Sequence, residues 1–236
     1  MGKDVIIALD FPDAAKTYEF LGRFSGTDRK PFVKIGMELF YAEGPDIVRR
    51  LKAQGYRIFL DLKLHDIPNT VKGGMRSLLD LGADMVNLHA SGTIDMMKAA
   101  LEGLTRPDGT RPMLIAVTQL TSTSQEKLTR ELLIHEPMDR VVTHYAMNAK
   151  AAGLDGVVCS PLEAGKIHEC AGESFLTVTP GIRFADSDKG DQARVTTPAK
   201  AKALGADYIV VGRPITQAEN PVEVYERCMH EFCEGA

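Results

Sequence analysis

Short apolar runs rich in β-branched residues alternate with longer amphipathic segments along this chain. A nearly continuous apolar run is typical of a parallel strand covered on both faces, and hydrophobic residues spaced three and four apart are typical of a helix. The predicted strands span residues 5–9, 31–36, 57–63, 85–89, 113–118, 156–160, 175–179 and 208–212. Helices are predicted at 13–24, 44–54, 68–81, 93–104, 124–152 with a break near Pro137, 161–170 and 221–232.

The order of these elements predicts the fold. Eight strands alternate with helices over 236 residues, close to the ~250 residues that a (β/α)8 barrel usually takes. An open doubly wound sheet is the alternative, but it usually has fewer strands, and no G-x-G-x-x-G follows the first strand. No linker or shift in composition divides the chain. We therefore predict an α/β protein that forms a single (β/α)8 TIM barrel, one domain over residues 1–236.

Composition and charge argue against several classes of protein. The chain has 28 Lys and Arg against 32 Asp and Glu, a formal net charge of −4, whereas a dedicated nucleic-acid binder carries a basic face. No apolar run approaches the ~20 residues that cross a bilayer, and no secretory signal opens the sequence. The cysteines contain no C-x-x-C pair. These features predict a cytoplasmic protein with reduced thiols that binds neither nucleic acid nor membrane.

Polar side chains collect where the predicted strands end. Parallel barrels carry their active sites at the carboxyl ends of the strands. Any one polar residue at such a place is more commonly a solvated loop residue, but here most strands contribute one. The residues at these ends are Asp10, Lys34, Asp61, Lys63, His89, Thr118, Thr121, Arg183 and Arg213.

The third strand carries the most informative pattern, Asp61-x-Lys63-x-x-Asp66. Side chains alternate faces along a strand, so Asp61 and Lys63 are predicted to point to the same side, above Phe59. Charged groups inside a barrel are costly unless they are paired, and two carboxylates keep a neighbouring ammonium protonated. Two interpretations stay open: an ion pair that fixes the end of the strand, or a catalytic lysine beside fixed carboxylates.

The last two strands end in GIR at 181–183 and GR at 212–213. Glycine lets the backbone approach a ligand closely, and arginine can bind phosphate through two nitrogens. The loops after strands seven and eight form the usual phosphate site of this barrel. Each motif alone also fits a surface turn, but together they favour phosphate binding. The polar segment 184–197 between them is either a mobile lid or a surface loop, and its position favours a lid.

The remaining candidates are weaker. His65 and His89 lack a third ligand at a recognisable spacing, so hydrogen-bonded histidines are favoured over a metal site. Ser122 and Ser124 lie outside a G-x-S-x-G motif, which argues against a serine nucleophile. Cys159 ends a strand and is interpreted as a small buried hydrophobe. The sequence therefore predicts no metal.

The segment DLKLHDIPNT at residues 61–70 resembles the signature of the orotidine 5′-phosphate decarboxylase family. Shorter matches extend over essentially the whole chain, and none departs from the family pattern at a functional position. They are ALD at 8–10, VKIG at 33–36, LTS at 120–122, PGIR at 180–183, DQ at 191–192 and VGRPI at 211–215. The longer segment is the specific signal, and the shorter ones support it.

This resemblance implies a cofactor-free (β/α)8 barrel that works as a homodimer with active sites at the subunit interface. Such an enzyme removes CO₂ from orotidine 5′-phosphate to give uridine 5′-phosphate, the last step of de novo pyrimidine synthesis. By resemblance, Lys63 is the proton donor, Asp61 is its charged neighbour, and a second subunit contributes Asp66. The resemblance also implies substrate-binding roles for Ile67 and Thr70 of that second subunit, Asp10 and Lys34 at the ribose, Thr121 and Ser122 at the pyrimidine, and Arg183, Gln192, Gly212 and Arg213 at the phosphate.

The chemistry of this reaction agrees with those roles. Loss of CO₂ leaves an anion at C6 of the pyrimidine with no adjacent carbonyl positioned to delocalise it well, and the sequence offers no metal or pyridoxal site as an electron sink. A fixed ammonium can stabilise the carbanion and then protonate it. Fixed carboxylates can disfavour the substrate carboxylate, and binding energy from the remote phosphate can close a lid.

Two other functions stay open. Enzymes similar to 3-keto-gulonate-phosphate decarboxylase or hexulose-phosphate synthase share the Asp-x-Lys-x-x-Asp strand but use Mg²⁺ and an enediolate. IPNT at 67–70 and LTS at 120–122 favour the orotidine family instead. The second alternative is a nucleotide-binding barrel without catalysis, and the intact Asp61, Lys63 and Asp66 argue against it.

Overall fold

The strands close into a parallel barrel in which each strand pairs with the next and the eighth pairs with the first. The computed structural model describes residues 3–184 and 196–234. Within them the strands are β1 (Asp4–Ala8), β2 (Phe32–Gly36), β3 (Arg57–Leu64), β4 (Met85–His89), β5 (Met113–Val117), β6 (Gly156–Val158), β7 (Leu176–Thr179) and β8 (Tyr208–Val211). The prediction of a (β/α)8 barrel is confirmed.

Helices connect the strands and cover the outside of the barrel. They are α1 (Ala14–Gly22), α2 (Met37–Glu43), α3 (Asp46–Ala53), α4 (Pro68–Leu79), α5 (Thr93–Leu104), α6 (Gln125–Arg130), α7 (Met138–Ala151), α8 (Ala164–Ala171), α9 (Pro198–Ala203), α10 (Arg213–Thr216) and α11 (Pro221–Met229). Short 3₁₀ turns lie at Ala90–Gly92 and Pro161–Glu163, and a π-helical turn lies at His230–Glu234. None of the helices in the described ranges has the length and apolarity that crossing a membrane requires.

Three short helices, α2, α9 and α10, were not predicted from the periodicity. At α2, Gly36 occupies the N-cap and no side chain caps the helix, so the sequence carries no start signal there. At α9 the signal exists, because Thr197 accepts a hydrogen bond from the Lys200 N–H and Pro198 occupies the first turn. The break predicted near Pro137 is confirmed and separates α6 from α7.

Apolar side chains of the strands form two layers. One layer, inside the barrel, consists of Ile6, Ala8, Phe32, Phe59, Met85, Ile115, Val178, Tyr208 and Val210. The other faces the helices and includes Ile7, Ile35, Leu60 and Val86. Both layers are buried, as parallel strands covered on two faces require. The polar residues that end the strands therefore lie above a packed apolar interior.

Strand β3 is irregular at its carboxyl end. It pairs with β4 through Leu60 opposite Val86 and again through Leu64 opposite Leu88, so β3 has more residues than β4 between these pairs. Lys63 lies in this bulge with a φ of 52°, a left-handed conformation that is uncommon outside glycine. Bulges of this kind re-aim side chains, often beside active sites. Regular alternation alone therefore does not account for the direction of Lys63.

The predicted lid segment 184–197 is described only at its ends. The Arg183 N–H donates to the Thr196 carbonyl at 3.0 Å, and the Thr196 N–H donates to the Gly181 carbonyl at 3.1 Å. These bonds join the two ends of the segment beside β7. Residues 185–195 lie outside the described residues, and the prediction of a lid stays a prediction.

Candidate active site

Two lysines share one carboxylate at the carboxyl end of the barrel. Lys63 Nζ lies 2.5 Å from Asp61 Oδ1, and Lys34 Nζ lies 3.3 Å from Asp61 Oδ2. Lys34 Nζ also lies 2.8 Å from Asp10 Oδ1. Asp61 and Lys34 are buried, whereas Asp10 is exposed at the rim. The strand ends thus bring four of the predicted site residues together in a charge row, Asp10–Lys34–Asp61–Lys63.

The charge row keeps its buried members ionised. Burial by itself would raise the pKa of Asp61, but the charges of Lys34 and Lys63, with hydrogen bonds from Lys63 and Asn87, bring that pKa below its ordinary value of 3.8. Burial by itself would lower the pKa of Lys34, but the charges of Asp61 and Asp10 raise it above its ordinary value of 10.5. Buried charges are tolerated when they are paired and hydrogen-bonded, and this row meets that condition.

Gly36 makes room for the contact between Lys34 and Asp10. A Cβ atom at position 36 would lie 2.9 Å from Lys34 Nζ and 3.1 Å from Asp10 Oδ1. Gly36 ends β2 and pairs with Asp61 of β3, so it lies at the same level of the barrel as the charge row. A larger residue there would press on the ion pair, which gives this glycine a packing role.

A cavity of about 250 Å³ adjoins the charge row. Lys34, Asp61 and Lys63 form one part of its wall, and Thr121 and Ser122 form another. The remaining wall is formed by Phe59, Val117, Gln119, Leu120, Val158, Cys159, Pro180 and Val210. A concave, largely apolar site with a few converging polar groups is typical of a small-molecule pocket.

A second cavity, of about 410 Å³, adjoins the first, and Lys34, Pro180 and Val210 line both. Its other walls are formed by Ala8, Asp10, Gly181, Arg183, Gly212, Arg213 and Gln217. The two arginines follow β7 and β8, which is where this type of barrel usually binds phosphate. Arg183, Gly212 and Arg213 thus line one cavity, and their role in phosphate binding stays a prediction.

Three predicted site residues lie away from both cavities. Asp66, Ile67 and Thr70 are exposed, and Ile67 retains 67% of its accessible surface. Asp66 Oδ1 accepts a hydrogen bond from the Ile67 N–H at 2.6 Å. No residue within 3–184 or 196–234 forms an ion pair with Asp66. A single copy of the chain therefore does not bring these residues to the charge row.

His65 and His89 form a ring pair beside Lys63, with centroids 5.7 Å apart. Burial, and then the charges of His65 and Lys63, lower the pKa of His89, which keeps this ring neutral near the ammonium. Across the part of the chain that the structure describes, no three His, Cys, Asp or Glu side chains are grouped as metal ligands.

Asn87 of β4 is a site residue that the sequence patterns did not indicate. It is 1% exposed, its Nδ2 donates to Asp61 Oδ1 at 2.7 Å, and its Oδ1 accepts from the Lys63 N–H at 2.8 Å. The available signal was an asparagine inside an otherwise apolar strand, since a buried amide needs hydrogen-bond partners. Gln192, predicted at the phosphate, lies outside the described residues.

The fold and the site together define a (β/α)8-barrel enzyme with a small-molecule site at the carboxyl ends of its strands. A family model described as "Orotidine 5′-phosphate decarboxylase / HUMPS family" matches residues 3–228. The chain belongs to this family.

Individual relatives agree with the family model over nearly the whole chain. The orotidine 5′-phosphate decarboxylase of Bacillus cytotoxicus is 57% identical over 235 residues, which cover 98% of each chain. That of Geobacillus thermodenitrificans is 57% identical over 233 residues, 98% of this chain and 97% of the relative. A crystal structure of orotidine 5′-phosphate decarboxylase from Lactobacillus acidophilus superposes with a TM-score of 0.86 at 45% identity, covering 98% of this chain and 99% of that one.

Proposed function

We propose that this protein is an orotidine-5′-phosphate decarboxylase of pyrimidine biosynthesis, which converts orotidine 5′-phosphate to uridine 5′-phosphate and CO₂. Its family membership and its relatives support the reaction. The observation that carries the proposal is the 2.5 Å contact between Lys63 Nζ and Asp61 Oδ1 at the wall of the first cavity. This contact supports an ammonium as the group that meets the reacting carbon.

In the proposed mechanism, the bond between C6 and the substrate carboxylate breaks, and its electron pair stays on C6 as CO₂ leaves. Lys63 stabilises the developing carbanion with its positive charge and then transfers a proton to C6, which forms the new C–H bond. The resulting neutral amine takes up a proton from water. Asp61 forms an ion pair with the Lys63 ammonium at 2.5 Å beforehand and repels the carboxylate of the bound substrate. No metal or cofactor takes part in these steps.

The two adjoining cavities suggest how the nucleotide lies. We assign the cavity beside Lys63 to the pyrimidine, with Thr121 and Ser122 as partners of its amide edge. Lys34 lines both cavities, and Asp10 lines the second. We place the ribose hydroxyls of the same nucleotide beside these two residues, between the pyrimidine and the phosphate. This order puts C6 at the charge row and the phosphate beyond it.

We assign the second cavity to the phosphate. Arg213 and the Gly212 backbone would bind it, with Arg183 nearby and Gln192 contributed by the lid segment. Binding energy gained at this remote group can be used at the reacting carbon, because a bound phosphate fixes the pyrimidine against Lys63.

We further propose that two copies of the chain form a homodimer with each active site at the interface. Asp66, Ile67 and Thr70 of one copy would complete the site of the other. Their exposure supports this assignment, because a side chain meant to reach a neighbouring site cannot be buried in its own subunit. We infer that residues 1–236 form one catalytic domain and that the enzyme works in the cytoplasm, where its unpaired cysteines would stay reduced.

A spectrophotometric assay with orotidine 5′-phosphate tests the function. We expect the absorbance of the orotate ring to change as the product forms, with the same rate in excess EDTA. Turnover that EDTA abolishes would instead indicate a metal-dependent relative of the HUMPS type. Binding of the nucleotide without turnover would indicate a nucleotide-binding barrel without catalysis.

A further inference from the structure

We propose that Asn87 is a positioning residue for the decarboxylation, whose single amide holds both the main chain of Lys63 and the carboxylate of Asp61. The inference rests on the proposed function. Asn87 lies on β4, is 1% exposed, and does not line either of the cavities assigned to the substrate. It therefore acts through the two residues it contacts and not on the substrate itself.

The first contact concerns the backbone of Lys63. Lys63 lies in the β3 bulge with a φ of 52°, where the pairing with β4 is interrupted. Its N–H donates to Asn87 Oδ1 at 2.8 Å. A partly buried N–H without a partner is costly, and a left-handed lysine is strained. The asparagine side chain thus stabilises the conformation that directs Lys63 toward the charge row.

The second contact fixes the carboxylate. Asn87 Nδ2 donates at 2.7 Å to Asp61 Oδ1, the same oxygen that Lys63 Nζ contacts at 2.5 Å. The other oxygen faces Lys34 Nζ at 3.3 Å. With both oxygens engaged, the plane of the carboxylate is set, and so is the position of the ammonium relative to it.

These two contacts require an amide. A backbone N–H can only donate and a carboxylate can only accept, so the residue between Lys63 and Asp61 must accept on one atom and donate from another. Aspartate at position 87 could accept but, when ionised, could not donate. Leucine would have nearly the same size and could do neither. The two substitutions therefore separate the hydrogen bonds from the packing.

The test compares Asn87→Leu and Asn87→Asp with the wild-type enzyme. We expect kcat to fall about 100-fold in both, the scale of a small misplacement of a catalytic group, while KM and the Kd for uridine 5′-phosphate change less than about 3-fold. The matched control is Thr177→Val, which removes a buried hydroxyl from β7 at the amino end of the barrel, where that hydroxyl donates to Asp207. This control should lose stability and keep kcat.

The pH dependence of kcat in Asn87→Asp distinguishes a positioning role from a purely structural one, because a structural role predicts no change with pH relative to wild type. At low pH the new carboxyl takes up a proton and can donate to Asp61 again, so kcat relative to wild type should recover as pH is lowered from about 8 to about 5. The charged and titratable groups around this position are Asp61, Lys63, Lys34, His65 and His89, and the wild-type profile measured in parallel accounts for them.

A double-mutant comparison completes the test. In the Lys63→Ala background, Asn87→Leu should cost less than about 3-fold in residual kcat, because the group it positions is gone. If the wild type is active and the Asn87 variants keep its kcat, the inference is overturned. It is also overturned if the variants lose nucleotide binding as strongly as they lose turnover. A wild type that shows no turnover would instead refute the proposed function.

Discussion

Lys34 Nζ lies 3.3 Å from Oδ2 of Asp61, and Lys63 Nζ lies 2.5 Å from Oδ1 of the same carboxylate. The resemblance assigns Lys34 to the ribose, and its 2.8 Å contact with Asp10 at the rim agrees with that position. The same ammonium is also a member of the charge row. Lys34 thus links the proposed ribose site to the carboxylate beside the proposed proton donor, a link that the sequence did not predict.

Replacing the proposed proton donor should nearly abolish turnover. We expect Lys63→Ala to lower kcat by at least about 10³-fold, because it removes both the proton and the positive charge that meets the carbanion. The fold should persist, since Lys63 lies in a bulge at the end of β3. Steady-state kinetics and circular dichroism check both statements. The exposed Lys16→Ala on α1 is the control, and a Lys63→Ala variant that kept most of its kcat would show that another group donates the proton.

The second cavity predicts a phosphate-dependent effect at Arg213. We expect Arg213→Ala to raise KM for orotidine 5′-phosphate and to lower kcat/KM by about 100-fold or more, since a charge-assisted contact of about 2–3 kcal/mol is lost. Turnover of orotidine, which lacks the phosphate, should be almost unaffected. The exposed Arg49→Ala on α3 serves as the control. Equal losses with both substrates would argue against a phosphate contact.

Mixing two inactive variants tests whether Asp66 acts across a subunit interface. A dimer of one Lys63→Ala chain and one Asp66→Asn chain has one site with both defects and one site with neither, provided that Asp66 serves the neighbouring subunit. Unfolding and refolding an equal mixture should therefore restore about one quarter of wild-type activity at random pairing. If Asp66 served its own subunit, the mixture would stay inactive. Each variant refolded alone is the control.

The lowered pKa of Asp61 predicts an acid-dependent contribution to stability. A carboxylate whose pKa in the folded protein is below its ordinary value of 3.8 stabilises the fold above that pH, and the contribution is lost as pH falls through the folded-state pKa. The difference in free energy of unfolding between wild type and Asp61→Asn should therefore be constant above about pH 5 and change as pH falls below 3.8. Urea unfolding followed by circular dichroism measures it. A difference independent of pH over that range would contradict the prediction.

Local patterns predicted the barrel and the place of its chemistry. The alternation of apolar runs with amphipathic segments predicted all eight strands. A strand buried on both faces is a nearly continuous apolar run, and such a run can be recognised without knowing which strands lie beside it. The same patterns missed α2, which follows β2 without a capping side chain. Asp10, Asp61, Lys63 and Arg213 could be selected as site residues because they lie at or just beyond the carboxyl ends of predicted strands, and parallel strands end on one side of a barrel.

The amino-acid sequence by itself determined the elements, their order and the charged residues at the strand ends, since these depend on residues close together in the chain. Tertiary structure decided the rest. The bulge at Lys63 depends on the register between β3 and β4, and the role of Asn87 depends on that bulge. The sharing of Asp61 by Lys34 and Lys63 depends on the distance across neighbouring strands. Such contacts join residues far apart in sequence, and only the closed barrel sets their distances.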